Sequence, residues 1–279
     1  MNSRRIWRII ASVKNAGGII MEKLEFLPAS NNEEHLIRHS DGNSLVIGSK
    51  AVKSTTKDDI SNILARTDRA YQEEINKKGN PGRKVFALRT DRRVGTDAVV
   101  SAEELQTDKI FNIVREPGTR GEADIKVAII NAKDLPKTNL VHAIYGPYGS
   151  TGKGGIYTMT FGNPGEPFPR DLPPDADEKS VAMNEKAKEY WHGKNGKGGH
   201  VFLVTPDELT AAIKQMGEHG LNAKEAERKL KDFQKNPSSP IISHKPSPMA
   251  KDAVDLGKVY LKPPMQLSIL NGKKRQSGI

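Results

Sequence analysis

The 279-residue chain has no cysteine, carries 44 lysines and arginines against 34 aspartates and glutamates, and has a formal net charge of +10 and a mean hydropathy of −0.61. Disulfides, thiolate metal sites and a cysteine nucleophile are thereby excluded, and no apolar run approaches the roughly 20 residues that a membrane-spanning helix requires. The charge favours anionic partners such as nucleic acid, an acidic protein or a membrane surface, though it would equally serve plain solubility.

Low hydropathy predicts one core with flexible ends, divided as a leader over 1–40, a single α+β domain over 41–236 and an extended or disordered tail over 237–279. The opening MNSRRIWRIIASVKNAGGII starts basic, but Lys14 breaks its apolar run, which argues against a cleaved secretory signal. Met21 is an alternative start. Without cysteines the compartment is not fixed, and a soluble protein acting in, or delivered to, a cytoplasm is expected. His35 and His39 have i, i+4 spacing beside Glu33 and Glu34. No glutamate lies between them in the HExxH manner, so they read as a solvated segment; neither a metal nor another cofactor is expected.

Leu45–Ile47 reads as a short strand. The periodicity of Ile60, Ile63, Leu64 and Tyr71 predicts a helix over 58–75, stopped by Asn80-Pro81-Gly82. Lys84–Leu88 is a predicted strand and Arg89–Gly95 a basic turn. Ser101 with Glu103 and Glu104 predicts a short capped helix. Phe111–Val114 and Ile125–Ile130 are β-rich, the second nearly all apolar and therefore central. Glu178–Trp191 is a predicted helix whose closing Tyr190 and Trp191 pin it to a sheet. Gly193–Gly199 (GKNGKGG) is a basic glycine loop, and His200–Thr205 (HVFLVT) a strand. Thr205-Pro206-Asp207-Glu208 has the form of a capping box opening a helix to about Glu218, ended by Gly220. A second helix is predicted over 222–233. Beyond Pro237 only 259–261 and 267–270 are apolar.

Polar chemistry concentrates in 140–169, LVHAIYGPYGSTGKGGIYTMTFGNPGEPFP. Two predicted strands, 140–145 and 156–161, flank a glycine-dense loop carrying Lys153; His142 lies in the first strand, and Tyr157, Thr158 and Thr160 line the second. The loop fails as a phosphate loop, because Pro147 stands at the first glycine position, Gly154 follows the lysine and a strand follows where a helix must open. Its amides and Lys153 still suit a phosphodiester. If the strands of His142 and His200 are neighbours, two imidazoles share a cleft rimmed by Lys153, Lys194 and Lys197. Metal-free RNA cleavage needs such a set: a base for the 2′-hydroxyl, an acid for the leaving oxygen and a cation for the phosphorane. Arg89, Arg92 and Arg93 form a further phosphate-binding candidate on a basic turn.

The stretch 125–204 resembles the general plan of small metal-independent ribonuclease toxins of the barnase, EndoU, colicin and RelE class, in which helices precede an antiparallel sheet bearing histidines, a lysine and hydroxyls. The resemblance is one of arrangement. It implies catalytic roles for His142, Lys153, Thr158, Thr160 and His200, RNA as substrate and an acidic neutralising protein as partner. The expected fold is α+β, a largely antiparallel sheet with helices on one side. The expected function is a metal-independent RNA-cleaving hydrolase. The alternative is a non-catalytic adaptor that binds nucleic acid or an acidic partner through its basic glycine loops.

Overall fold

The computed structural model describes residues 23–29, 48–106, 109–114, 124–166, 169, 172–195, 197–218, 223–243 and 249–261. In chain order these form β1 (Glu25–Leu27), α1 (Lys57–Lys78), β2 (Lys84–Thr90), β3 (Gly95–Thr96), β4 (Val99–Ser101), β5 (Leu105–Gln106), β6 (Phe111–Val114) and β7 (Asp124–Ile129). There follow β8 (Lys137–Thr138), β9 (Leu140–Pro147), β10 (Lys153–Phe161), α2 (Glu178–His192), β11 (His200–Val204), α3 (Pro206–Glu218), α4 (Lys224–Lys235), β12 (Ile241–Ile242) and β13 (Val254–Val259). The fold is α+β.

The strands build two principal sheets where the sequence predicts one. The first has the order β1-β10-β9-β2-β13, with an antiparallel centre and parallel outer strands. One face, including Phe86, Ala143, Tyr145, Ile156 and Met159, packs on Ile60, Ile63, Tyr71 and Ile75 of α1. Ile156 and Met159 are three residues apart, which plain alternation would send to opposite faces. A bulge between Ile156 and Thr158 absorbs the extra residue and returns Met159 and Phe161 to the core. Thr56 and Asp59 form a reciprocal capping box at the start of α1.

The second sheet has the order β4-β11-β7-β6, and β12-β5 and β3-β8 form separate two-stranded ribbons. Along β7, Ile125, Val127 and Ile129 join Trp191 of α2, Leu209 and Met216 of α3, and Leu230 and Phe233 of α4. Ala128 and Ile130 face the other way, toward Val201, Leu203 and Leu105. The period of two thus separates a helix-covered face from an opposite face. Pairing divides the sheets: β9 takes β10 and β2, whereas β11 takes β4 and β7.

Two boundary expectations change. Part of the predicted leader is β1, paired with Lys153–Gly155 of β10. Much of the predicted tail belongs to the fold: β12 pairs with β5, β13 lies parallel to β2, and Leu261 is buried in the first core. Its ordering cost is met by ladder bonds and by side-chain contacts such as that of Ser239 with Asp134 at 2.6 Å. The predicted strand at 45–47, the helix end at Gly220, the apolar run at 267–270 and the His35/His39 segment lie outside the described residues.

Truncation at Pro237 removes β13 and Leu261 and strips β2 of its outer partner, leaving it paired only with β9. The truncated chain is expected to be less stable by about 3 kcal/mol or more. Urea unfolding followed by circular dichroism checks this, and a truncated chain as stable as the full one would refute it.

Candidate functional site

The hairpin does not bring its predicted catalytic groups together. Thr160 pairs with His142, while Gly154, next to Lys153, pairs with Pro147. Seven residue steps along the strand separate Lys153 from Thr160, roughly 23 Å of extended chain. Lys153 and His142 therefore stand at opposite ends of the hairpin, which corrects the shared cleft. Thr158 is exposed and Thr160 half-buried.

His142 is 0% exposed, which corrects the expectation of an accessible base. Its Nδ1 lies 2.8 Å from the Gly162 carbonyl, which only accepts, so Nδ1 carries the proton. The Ala250 amide donates to Nε2 at 3.0 Å, so Nε2 carries the lone pair. Both nitrogens are spent on the backbone, and the ring is neutral. Burial pushes its pKa down and Arg89 adds to this, against the opposing pull of the Gly162 bond and Asp252.

His200 lies in the other sheet, which corrects the expectation that the two histidine strands are neighbours. Its Nδ1 lies 2.8 Å from the Tyr190 carbonyl, and its ring stacks on that of Tyr190 at 3.6 Å. Burial lowers its pKa. Trp191 stacks on Phe202 and donates from Nε1 to the Glu166 carbonyl, so the aromatic end of α2 does pin the helix to its sheet.

The arginine turn also divides. Arg92 is ion-paired at 2.5 Å with Asp59, whose carboxylate also accepts from the Thr56 amide. Arg92 thus anchors the start of α1, which corrects its reading as a phosphate ligand. Arg89 and Arg93 remain exposed. Arg93 lines a cleft of about 340 Å³ with Asp134, Pro136, Lys137, Pro240 and Ile242.

The loop after α2 keeps its predicted character. Lys194 and Lys197 face each other across an isolated antiparallel bridge, and both are exposed. Gly193 and Gly199 have φ of 80° and 81°; a side chain on either would overlap backbone, at Lys197 and Trp191 respectively. From below, Lys126 of β7 donates from Nζ to the carbonyls of His192 and Gly198, at 3.2 and 2.8 Å. Burial lowers the pKa of Lys126. Sequence reasoning missed this brace; its signal was a lone charge in the otherwise apolar run IKVAII.

The turn end of the hairpin carries two tyrosines. The Tyr157 ring lies over Gly146, where a Cβ would stand 2.6 Å from it. Its hydroxyl donates to the Pro147 carbonyl, and Tyr148 donates to the Ile156 carbonyl. Burial raises the Tyr157 pKa, and nearby Arg83 pulls it back. Tyr148 and Arg83 were absent from the predicted site. Among the described residues no cluster of three or more histidines and carboxylates is placed to hold a metal, and no helix is long and apolar enough to cross a membrane. No family model, curated protein or solved structure matches this chain.

The pKa directions fix the sign of pH effects. Burial in the folded protein disfavours protonation of His142 and His200, so as pH falls through about 6.5 the unfolded chain binds protons that the folded one resists. The difference in stability between wild type and His142→Gln is therefore expected to shrink from pH 7 to pH 5. Asp97 acts oppositely. Burial raises its pKa to about 6, so its ionisation costs stability as pH rises through the interval from about 4 to 6. Asp97→Asn is expected to gain about 1–3 kcal/mol on wild type between pH 4 and pH 7. Urea unfolding of each variant across this range measures both, and a pH-independent difference would refute either.

Proposed function

We infer that the protein is a non-catalytic binding module for a polyanion, with nucleic acid as the partner class. The braced Lys194–Lys197 turn carries this reading. Two ammonium groups project from a backbone held by glycines and by Lys126, and neither is ion-paired among the described residues. A phosphate backbone needs such fixed, solvent-facing cations and releases counterions on meeting them.

The RNA-cleaving alternative draws less support. It requires a base, an acid and a cation around one phosphate. Here one histidine is sealed with both nitrogens bonded, the other lies in a different sheet, and Lys153 is a hairpin length from the first. Binding needs none of these groups to meet.

Fluorescence anisotropy with labelled single-stranded RNA and DNA tests the reading. Binding is expected to weaken steeply with salt, and Lys194→Ala combined with Lys197→Ala to cost roughly 3- to 30-fold while reducing the salt slope by about 1–2. RNA incubated in chelator is expected to remain intact. Salt-independent binding would overturn the polyanion reading, and cleavage lost in His200→Ala would restore the enzyme.

A further inference from the structure

We propose that the turn end of the β9–β10 hairpin is a stacking shelf for the bases of a single-stranded nucleic acid, with Tyr157 as its surface. The proposal rests on the polyanion reading and adds a second contact to it.

The shelf is built from the backbone upward. Gly146 and Gly155 are direct cross-strand partners, and β9 turns Tyr145 toward α1, so Gly146 faces the opposite side of the sheet. Without side chains at these two positions, rings can lie against the main chain. The Tyr157 ring covers Gly146, and the Tyr148 hydroxyl reaches over Gly155, 2.7 Å from where a Cβ would stand. The ring centroids are 5.8 Å apart. Each phenol is tied down by a carbonyl of the other's strand, Pro147 for Tyr157 and Ile156 for Tyr148. One face of Tyr157 is therefore occupied by glycine backbone, its hydroxyl is committed, and 43% of the residue remains exposed.

A large ring fixed in place and open to solvent loses little freedom when a base settles on it. Alternation from core-facing Ile156 turns this residue outward, and the bulge beside it returns Met159 to the core. The charge around the ring selects the occupant. Arg83 is close enough to act on the Tyr157 phenol and has no ion-pair partner among the described residues. Lys153 stands on the same hairpin end, 3.9 Å from an exposed Glu25 carboxylate, a pair that solvent screens and a phosphate can displace. Thr158, exposed on the same strand, offers a hydroxyl. An aromatic face ringed by cations matches bases joined by phosphates. In a duplex the bases are already stacked on each other and unavailable.

The test compares four probes on the full chain: a single-stranded oligonucleotide (RNA and DNA arms), the matching duplex, heparin, which has the charge but no bases, and poly-glutamate. Tyr157→Ala is expected to weaken the single strand roughly 5- to 100-fold and to leave heparin unchanged, whereas Tyr157→Phe stays within about twofold of wild type. An oligonucleotide carrying 2-aminopurine should be quenched on binding wild type and Tyr157→Phe but not Tyr157→Ala, a readout that a merely loosened hairpin would not reproduce for Phe. Equal losses for heparin and the single strand, or wild-type affinity in Tyr157→Ala, would overturn the shelf and leave the polyanion reading standing. Binding of poly-glutamate with oligonucleotides ignored would assign the surface to an acidic polypeptide instead. Failure to bind any of the probes would overturn both readings.

Discussion

Buried Asp97 sits where the chain crosses from one sheet to the other, and its backbone and carboxylate tie segments of both sheets together. It follows β3 and precedes β4, and its peptide amide donates to the Pro136 carbonyl at 2.8 Å. Its side chain accepts from the Asn163 amide at 3.1 Å, just beyond the end of β10. The next residue, Ala98, accepts at its carbonyl from Leu203 of β11. Three segments distant in sequence thus converge on two consecutive residues. Lys50 and Glu208, an ion pair at 2.6 Å with little exposure on either side, reinforce the same junction from the flank. Loss of one partner from such a pair leaves a poorly solvated charge, which commonly costs 3–5 kcal/mol.

Against that frame, the two histidines act as connectors. His142 behaves as a double-ended link, donating to the loop after β10 and accepting from the segment before β13. No aliphatic side chain can bridge a carbonyl and an amide in this way, so an imidazole inside an apolar strand need not signal proton transfer. His200 plays a comparable part for α2, whose last turn it holds by stacking and by one bond to a carbonyl.

Local signals were legible in the sequence and long-range pairings were not. The Thr205–Glu208 box appears as read, with reciprocal bonds of 3.3 and 2.6 Å, because a cap depends on residues three apart. The nearly continuous apolar run 125–130 correctly marked a central strand. The assignment of strands to two sheets left no trace in periodicity, since β9 and β11 look alike as apolar runs and differ only in partners far away. The same limit hid Arg92: its pairing with Asp59 crosses from one turn to another helix, and a cluster of arginines on its own resembles a phosphate site. At the candidate interface, Lys153, Lys194 and Lys197 were visible because glycine-rich loops advertise exposure. Arg83 and the fixed pose of Tyr157 required the register of the hairpin.

The placement of β13 beside β2 has a consequence for how the protein is made. Four of the five strands of the first sheet lie at or before Phe161, yet the fifth ends at Val259. About a hundred residues must leave the ribosome between these points, which at ordinary rates of synthesis takes roughly 5–20 s. Through that interval the outer edge of β2 has no strand to complete it, and His142 has no amide at Nε2. Such an edge is a template for wrong pairing, with a neighbouring nascent chain as readily as with its own end. Late closure by residues 249–261 makes the nascent protein's most vulnerable stage a matter of timing, and slow decoding between 162 and 253 would lengthen it without altering a single native contact.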